Sequence, residues 1–224
     1  SGRSLKGVVL DLRGNPGGLL KQAIRTADLF LSQGQILLTR GRHPDSRQSY
    51  AARGADLAAD LPVVVLVDGK SASAAEIAAA ALQDRGRAVV IGTTSFGKGT
   101  VQTVVRLPNE GEITLTWSRF LAPSGYALQN LGVRPTVCTS GLDGDEPDPI
   151  DALFAHQQSA AVIRSAWRTV GIHDETGRRR LRSSCPTEPR KSDFEVDLAR
   201  RVISDKALYA RTLGLFDSAA AAHP

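Results

Sequence analysis

Two segments of this 224-residue chain place a hydroxyl or an amine where it could do acid–base work. The first is Gly69-Lys70-Ser71-Ala72-Ser73-Ala74-Ala75-Glu76, where an apolar run ends and a run of small residues begins. A hydroxyl at a helix N-terminus lies among backbone N–H groups that lack intrahelical acceptors, at the positive end of the dipole. That setting suits an oxyanion as well as a cap, and Ser73-x-x-Glu76 also fits a capping box. The second segment is Gly92-Thr93-Thr94-Ser95-Phe96-Gly97-Lys98-Gly99-Thr100, in which Lys98 stands between two glycines after a strand-like run. Flanking glycines let the backbone come close to a neighbour. A lysine held out of water loses proton affinity and becomes a base near neutral pH. A serine needs such a base before it can attack. His43, His156, His173 and His223 lie in polar or terminal stretches without a carboxylate motif, so lysine is the better candidate.

A third segment, Asp11-Leu12-Arg13-Gly14-Asn15-Pro16-Gly17-Gly18, joins a strand to a helix start through strong turn chemistry. Its outward backbone amides could hold an anion or a tetrahedral intermediate. A nucleotide-binding reading of Gly92-x4-Gly97-Lys98 fails twice. Gly99 stands where magnesium would need Ser or Thr, and a β pattern follows instead of a helix.

These segments hang on an α/β framework. Val8 to Leu12 is strand-like, and Leu19, Leu20, Ile24, Ala27 and Leu31 then recur at helical spacing. Gln35 to Thr39 predicts a strand, and residues 40–59 a polar surface loop or hairpin. Leu61 to Val67 reads as a buried strand, Ala74 to Leu82 as a helix, and Ala88 to Ile91 as a short strand. Strand–helix–strand order with short connections argues for right-handed crossovers and parallel pairing. Val101 to Leu107 and Ile113 to Trp117 predict a hairpin turning at Pro108-Asn109-Glu110-Gly111. The acidic, proline-containing stretch from Asp143 to Pro149 marks a boundary, giving a core over 1–142 and a mostly helical extension over 143–224. Helices are expected over Pro149 to Val170 and from about Asp193, with Arg178 to Arg182 as a solvated loop between them and a frayed tail from Ser218.

Composition excludes several classes. The hydrophobic fraction of 42% and charged fraction of 23% are those of an ordinary globular protein. No apolar run approaches the roughly 18–20 residues needed to cross a bilayer. The net charge is +5, but 28 basic residues face 23 acidic ones and no basic stripe is studded with aromatics, which argues against nucleic acid. Two cysteines, Cys138 and Cys185, cannot build a metal site alone, and they read equally as two thiols or one disulfide. The first strand begins within a few residues of Ser1, which predicts further chain upstream.

Taken together, the segments resemble the C-terminal processing peptidases, or tail-specific proteases, of serine peptidase family S41. The matching blocks are Asp11 to Gly18, Ser71 to Ile77, Ala81 to Ala88, Ser95 to Gln102, Pro123-Ser124-Gly125 and Gly132-Val133-Arg134-Pro135, covering roughly Leu5 to Val137. The resemblance implies a crotonase-like β/α core and a serine endopeptidase with Ser73 as nucleophile and Lys98 as base, acting on proteins near their C-termini. It assigns Gln102 to orienting the lysine amine, an amide of Gly17 or Gly18 with that of Ala74 to the oxyanion hole, and Glu76 and Ser95 to supporting positions. Ser95 departs from the family's usual threonine but keeps the hydroxyl. The resemblance further implies no metal or organic cofactor, substrates with accessible C-termini, an upstream PDZ domain, and room for a homo-oligomer. Because most bacterial members act outside the cytoplasm, it implies a periplasmic or otherwise extracytoplasmic location, and with it a Cys138–Cys185 disulfide. A catalytically silent crotonase-like scaffold module is the alternative, which the intact Ser–Lys–Gln set argues against.

Overall fold

The computed structural model describes residues 5–144, 148–190 and 192–217; the tail from Ser218 and residues 145–147 of the boundary stretch lie outside them. In chain order the described elements are β1 (Val8–Asp11), α1 (Leu20–Asp28), β2 (Gln35–Arg40), β3 (Gln48–Ala51), β4 (Val63–Val67), α2 (Ala74–Asp84), β5 (Val89–Gly92), β6 (Thr100–Arg106), β7 (Glu112–Leu121) and β8 (Val137–Cys138). Five helices follow: α3 (Pro149–Ala155), α4 (Gln157–Thr169), α5 (Glu175–Arg182), α6 (Phe194–Ser204) and α7 (Lys206–Asp217).

Two four-stranded sheets result. One is parallel throughout, in the order β1-β4-β5-β8. The other is antiparallel, in the order β3-β2-β7-β6. The uninterrupted apolar run Val63-Val64-Val65-Leu66-Val67 belongs to a strand covered on both faces. Val63, Val65 and Val67 pack towards α1 and α2, whereas Val64 and Leu66 pack against Leu198, Ala199 and Val202 of α6. Every residue of α2 from Ala74 to Gln83 is buried. Alanines at most of these positions suit a helix enclosed on all sides, because they let its neighbours approach closely. Residues before and after the 143–149 boundary thus share one apolar cluster, with Ile150 and α6 against Val89, Ile91 and Val137.

Several sequence expectations change in detail. The polar stretch 40–59 contains β3, paired antiparallel with β2. The expected long helix over Pro149 to Val170 breaks at His156 (φ −114°, ψ 26°) into α3 and α4. The larger correction concerns Arg178 to Arg182, which is not a solvated loop but the end of α5. Arg178 is only 2% exposed. Its Nη2 donates to the carbonyls of Ala127 and Gln129, both at 2.6 Å, so chain carbonyls take the place of water at that nitrogen. Arg179 and Arg180, one face over, are exposed.

Cys138 and Cys185 form a disulfide that ties β8 to the segment after α5 across a sequence separation of 47. Closing a loop of that length in the unfolded chain predicts a contribution of about 2–4 kcal/mol. Urea unfolding of the Cys138→Ser/Cys185→Ser variant beside the parent is expected to show that loss. An unchanged midpoint would mean the bond contributes nothing to stability.

Candidate active site

Ser73 sits where β4, after a short turn, feeds α2. Its backbone adopts φ 55°, ψ −114°, well away from the extended conformation of an ordinary N-cap. Such a conformation costs on the order of 1–3 kcal/mol and persists only when neighbours hold it. Here Ala72 N donates to Asn15 O (2.9 Å), Ile77 N to Ser73 O (3.0 Å) and Ser73 N to Glu76 Oε2 (2.8 Å). The half of the capping box in which the Ser73 N–H donates to Glu76 is therefore present, on a backbone strained away from that of an ordinary cap.

Glu76 is the centre of the site. Fully buried, it accepts four hydrogen bonds. Oε1 takes Ser95 Oγ (2.5 Å) and Gly97 N (2.7 Å), and Oε2 takes Ser73 N and Lys98 N, each at 2.8 Å. One carboxylate oxygen thus binds the backbone amides of both Ser73 and Lys98. Burial pushes the Glu76 carboxyl above its ordinary range, with the four donors acting in the opposite direction. Ser95 Oγ also accepts from Val133 N (2.7 Å), linking the 95–98 loop to the 131–133 turn.

Lys98 itself is exposed, not desolvated as its glycine flanks predict. Gly97 and Gly99 are buried instead, and a Cβ on Gly97 would lie 3.2 Å from Leu131 N. The glycines let the backbone sink under the loop, and that turns the lysine side chain outward. Gln102, four residues on in β6, is exposed as well.

The Gly14–Gly18 turn lies directly against the start of α2. A Cβ on Gly17 (φ 100°) would come within 2.6 Å of Ala72 O and 2.9 Å of both Ser73 Cβ and Ala74 N. The N–H of Gly17 is taken by Asn15 Oδ1 at 2.8 Å, so of the glycine pair it is Gly18 whose amide is left for an anion. Ala74 N belongs to the first turn of α2, where no intrahelical acceptor is available.

Peptidase family S41 matches residues 1–139. The chain belongs to this family. Similar relatives include the carboxy-terminal-processing protease of Bartonella bacilliformis, 50% identical over 133 residues, covering 59% of this chain and 31% of that protein. The carboxy-terminal processing protease CtpA of Bacillus subtilis is 39% identical over 135 residues, covering 60% of this chain and 29% of that one. Among solved structures, the photosystem II D1 C-terminal processing protease matches with a TM-score of 0.53 and 34% identity, over 58% of this chain and 34% of its own. The chain thus spans about a third of the length of these relatives.

Other blocks of the S41 pattern tie the scaffold together. Asp84 accepts from Ser124 N (2.9 Å) and Oγ (2.6 Å), Gln83 Nε2 donates to Arg134 O (2.9 Å), and Arg87 pairs with Asp56 at 2.6 Å. The sequence pattern gives Asp68 no role at the site. Asp68 is 1% exposed. Its Oδ1 accepts from Gly14 N (2.9 Å), Lys70 N (3.0 Å) and Ser71 N (3.0 Å), and so fixes the glycine turn to the serine loop. An aspartate at the end of a wholly buried strand was the available signal.

Contact between Gly17 and Ser73 yields a prediction. Gly17→Ala puts a methyl group against Ser73 Cβ and into a left-handed backbone, so kcat of any reaction that runs through Ser73 is expected to fall about 100-fold while the fold survives. Steady-state kinetics with a circular-dichroism melt checks it; full activity in the Gly17→Ala variant would show that the turn does not have to sit this close.

Proposed function

We propose that the chain carries the catalytic core of a serine endopeptidase that cleaves proteins near their C-termini through a Ser73–Lys98 dyad. The observation that carries this reading is the convergence of the Ser73 and Lys98 amides on one Glu76 oxygen, with Ser73 held in a strained, positive-φ turn at a helix start. Belonging to family S41 supports the reaction class.

In this mechanism neutral Lys98 Nζ takes the Ser73 hydroxyl proton as Oγ bonds to the substrate carbonyl carbon. The resulting oxyanion lies between the amides of Gly18 and Ala74. Collapse breaks the C–N bond, and Lys98 returns the proton to the leaving amine. Lys98 then takes a proton from water as water attacks the acyl-enzyme, and gives it back to Ser73 Oγ as the acid product leaves. Gln102 orients the lysine amine, and Ser95 holds Glu76. Lys98 is exposed in the described chain, so the proposed proton transfer calls for a cover that keeps water from it during turnover. Bound substrate and the PDZ domain implied upstream are the covers we assign. No metal or organic cofactor is needed for any of these steps.

The finer fold assignment, a crotonase-like core over 1–142 with a helical extension over 143–224, belongs to the same reading. So does an extracytoplasmic location. The Cys138–Cys185 disulfide supports it, since such bonds persist in oxidising compartments. Among the described residues no helix is long and apolar enough to cross a membrane.

The test is cleavage of an unstructured protein with an apolar C-terminus by the longest natural form of the protein that carries these residues, beside its Ser73→Ala and Lys98→Ala variants. Turnover is expected in the parent and in neither variant. Two variants that cleave like the parent would remove the dyad, and an inert parent would favour the silent-scaffold reading.

A further inference from the structure

The loop that carries Lys98 has no regular structure, and the side chain it presents is exposed. Its backbone position must therefore be set from outside. On one side Glu76 accepts from Gly97 N and Lys98 N. On the other lies the 127–133 segment: Asn130 N donates to Gly97 O (2.9 Å), Gly99 N to Gln129 Oε1 (2.9 Å), and Val133 N to Ser95 Oγ (2.7 Å). That segment is irregular too, so it needs its own support.

The support is α5. Arg178 and Arg182 are four residues apart and so share one face of the helix. Arg178 Nη2 bridges the carbonyls of Ala127 and Gln129, and Arg182 Nη1 bridges those of Leu131 (2.6 Å) and Ser95 (3.1 Å). Two guanidinium groups thus hold three alternate carbonyls of the supporting segment and one carbonyl of the lysine loop itself. Arg182 Nη2 also donates to Thr187 Oγ1 (2.5 Å), at the start of a strap that reaches the rest of the site. In that strap Cys185 O accepts from Thr94 Oγ1 (2.6 Å) and Glu188 O from Thr93 Oγ1 (2.8 Å). Glu188 O also accepts from Gly69 N (2.7 Å), and Arg190 N donates to Asp68 Oδ2 (3.0 Å). The disulfide anchors the strap to β8 through Cys185. The consecutive residues Thr93, Thr94 and Ser95, which lead to Lys98, are each bound from this side.

We propose that α5 and the strap after it are a positioning device for the proposed dyad, with Arg182 the residue that sets the placement of the Lys98 loop relative to Ser73. The inference rests on the reading of Lys98 as the general base. Arg182 touches no reacting atom and acts through Ser95 and Leu131. A planar fork serving two carbonyls and a hydroxyl at once cannot be replaced by the point charge of a lysine. Misplacement of a base by about 1 Å lowers the rate of the chemical step while leaving substrate contacts elsewhere intact.

The experiment compares Arg182→Lys and Arg182→Gln with the parent and with Arg179→Ala, an exposed position on another face of the same helix. Steady-state kinetics is measured with an unstructured protein substrate, and amide hydrogen exchange is followed across the protein. Both Arg182 variants are expected to lose about 30–100-fold in kcat with KM within about threefold of the parent. Faster exchange is expected to be confined to residues 93–99 and 127–133, and Arg179→Ala should match the parent. Unchanged kcat in folded Arg182 variants would overturn the proposal. So would a fall that accompanies faster exchange throughout the molecule, since Arg182 would then support the whole fold and not the site. If the parent shows no turnover, the peptidase reading has failed by itself. The exchange pattern then decides whether Arg182 governs the loop.

Discussion

Replacing Ser73 by alanine is expected to lower kcat by roughly 10⁴–10⁶-fold, and Lys98→Ala to do nearly as much, with the double variant no worse than the more damaged single one. The non-additivity follows from the chemistry. Without the hydroxyl there is no nucleophile for the amine to deprotonate, and without the amine the hydroxyl remains protonated and weak, so either loss abolishes the same step. Neither change should threaten the fold. Ser73 is only partly buried and Lys98 is exposed, and the hydrogen bonds to Glu76 at both positions come from the backbone, which alanine keeps. Melting temperatures within a few degrees of the parent are thus expected alongside the lost turnover. Single losses that multiply in the double variant would mean that the two residues act in separate steps.

The second large effect is expected at Glu76. Its two oxygens serve four donors, three of them backbone amides. In Glu76→Gln the side-chain NH2 must face one of the two donor pairs, and each buried N–H left without an acceptor costs about 1–3 kcal/mol. A loss of about 2–4 kcal/mol is expected in urea unfolding, with a fall in kcat of at least about 100-fold because the Ser73 and Lys98 backbones are no longer tied to each other. Glu76→Ala should be more destabilising still, since it removes the acceptor for all four donors. The pH dependence has a definite sign. The carboxyl is raised above 4.5 in the folded protein, mainly by burial. The folded state therefore binds the proton more tightly than the unfolded one. That contribution to stability is complete below the unfolded value and is lost as pH rises through the folded one. The stability gap between parent and Glu76→Gln is thus expected to narrow as pH rises from about 4 to 7. A gap that widens over that range would mean that the four donors outweigh burial.

Much of this was legible along the chain because it is local. A buried parallel strand reads as Val63 to Val67 since both its faces are apolar, and the start of α2 reads from small residues after a turn. Ser73 and Glu76 by themselves read as an ordinary capping box, and it is the second segment, with Lys98 between two glycines, that gives the serine a candidate base. Apart from β3, segment order and type up to the β6–β7 hairpin and its turn were recoverable on the same grounds.

What the linear pattern could not carry was non-local. Glu76 reads as half of a capping box, and only folding brings Gly97 and Lys98 to its carboxylate across more than twenty residues. Lys98 reads as buried from its glycines, yet it is the glycine backbone that is buried, because removing side chains lets the main chain, not the lysine, approach its neighbours. The arginines of α5 read as a solvated run, since charge alone does not say which guanidinium will meet a carbonyl. Arg178 and Arg182 find theirs about fifty residues upstream, whereas Arg179 and Arg180 find water. Residue type and spacing set which groups can do chemistry here; burial and hydrogen bonding between distant segments decide which of them meet.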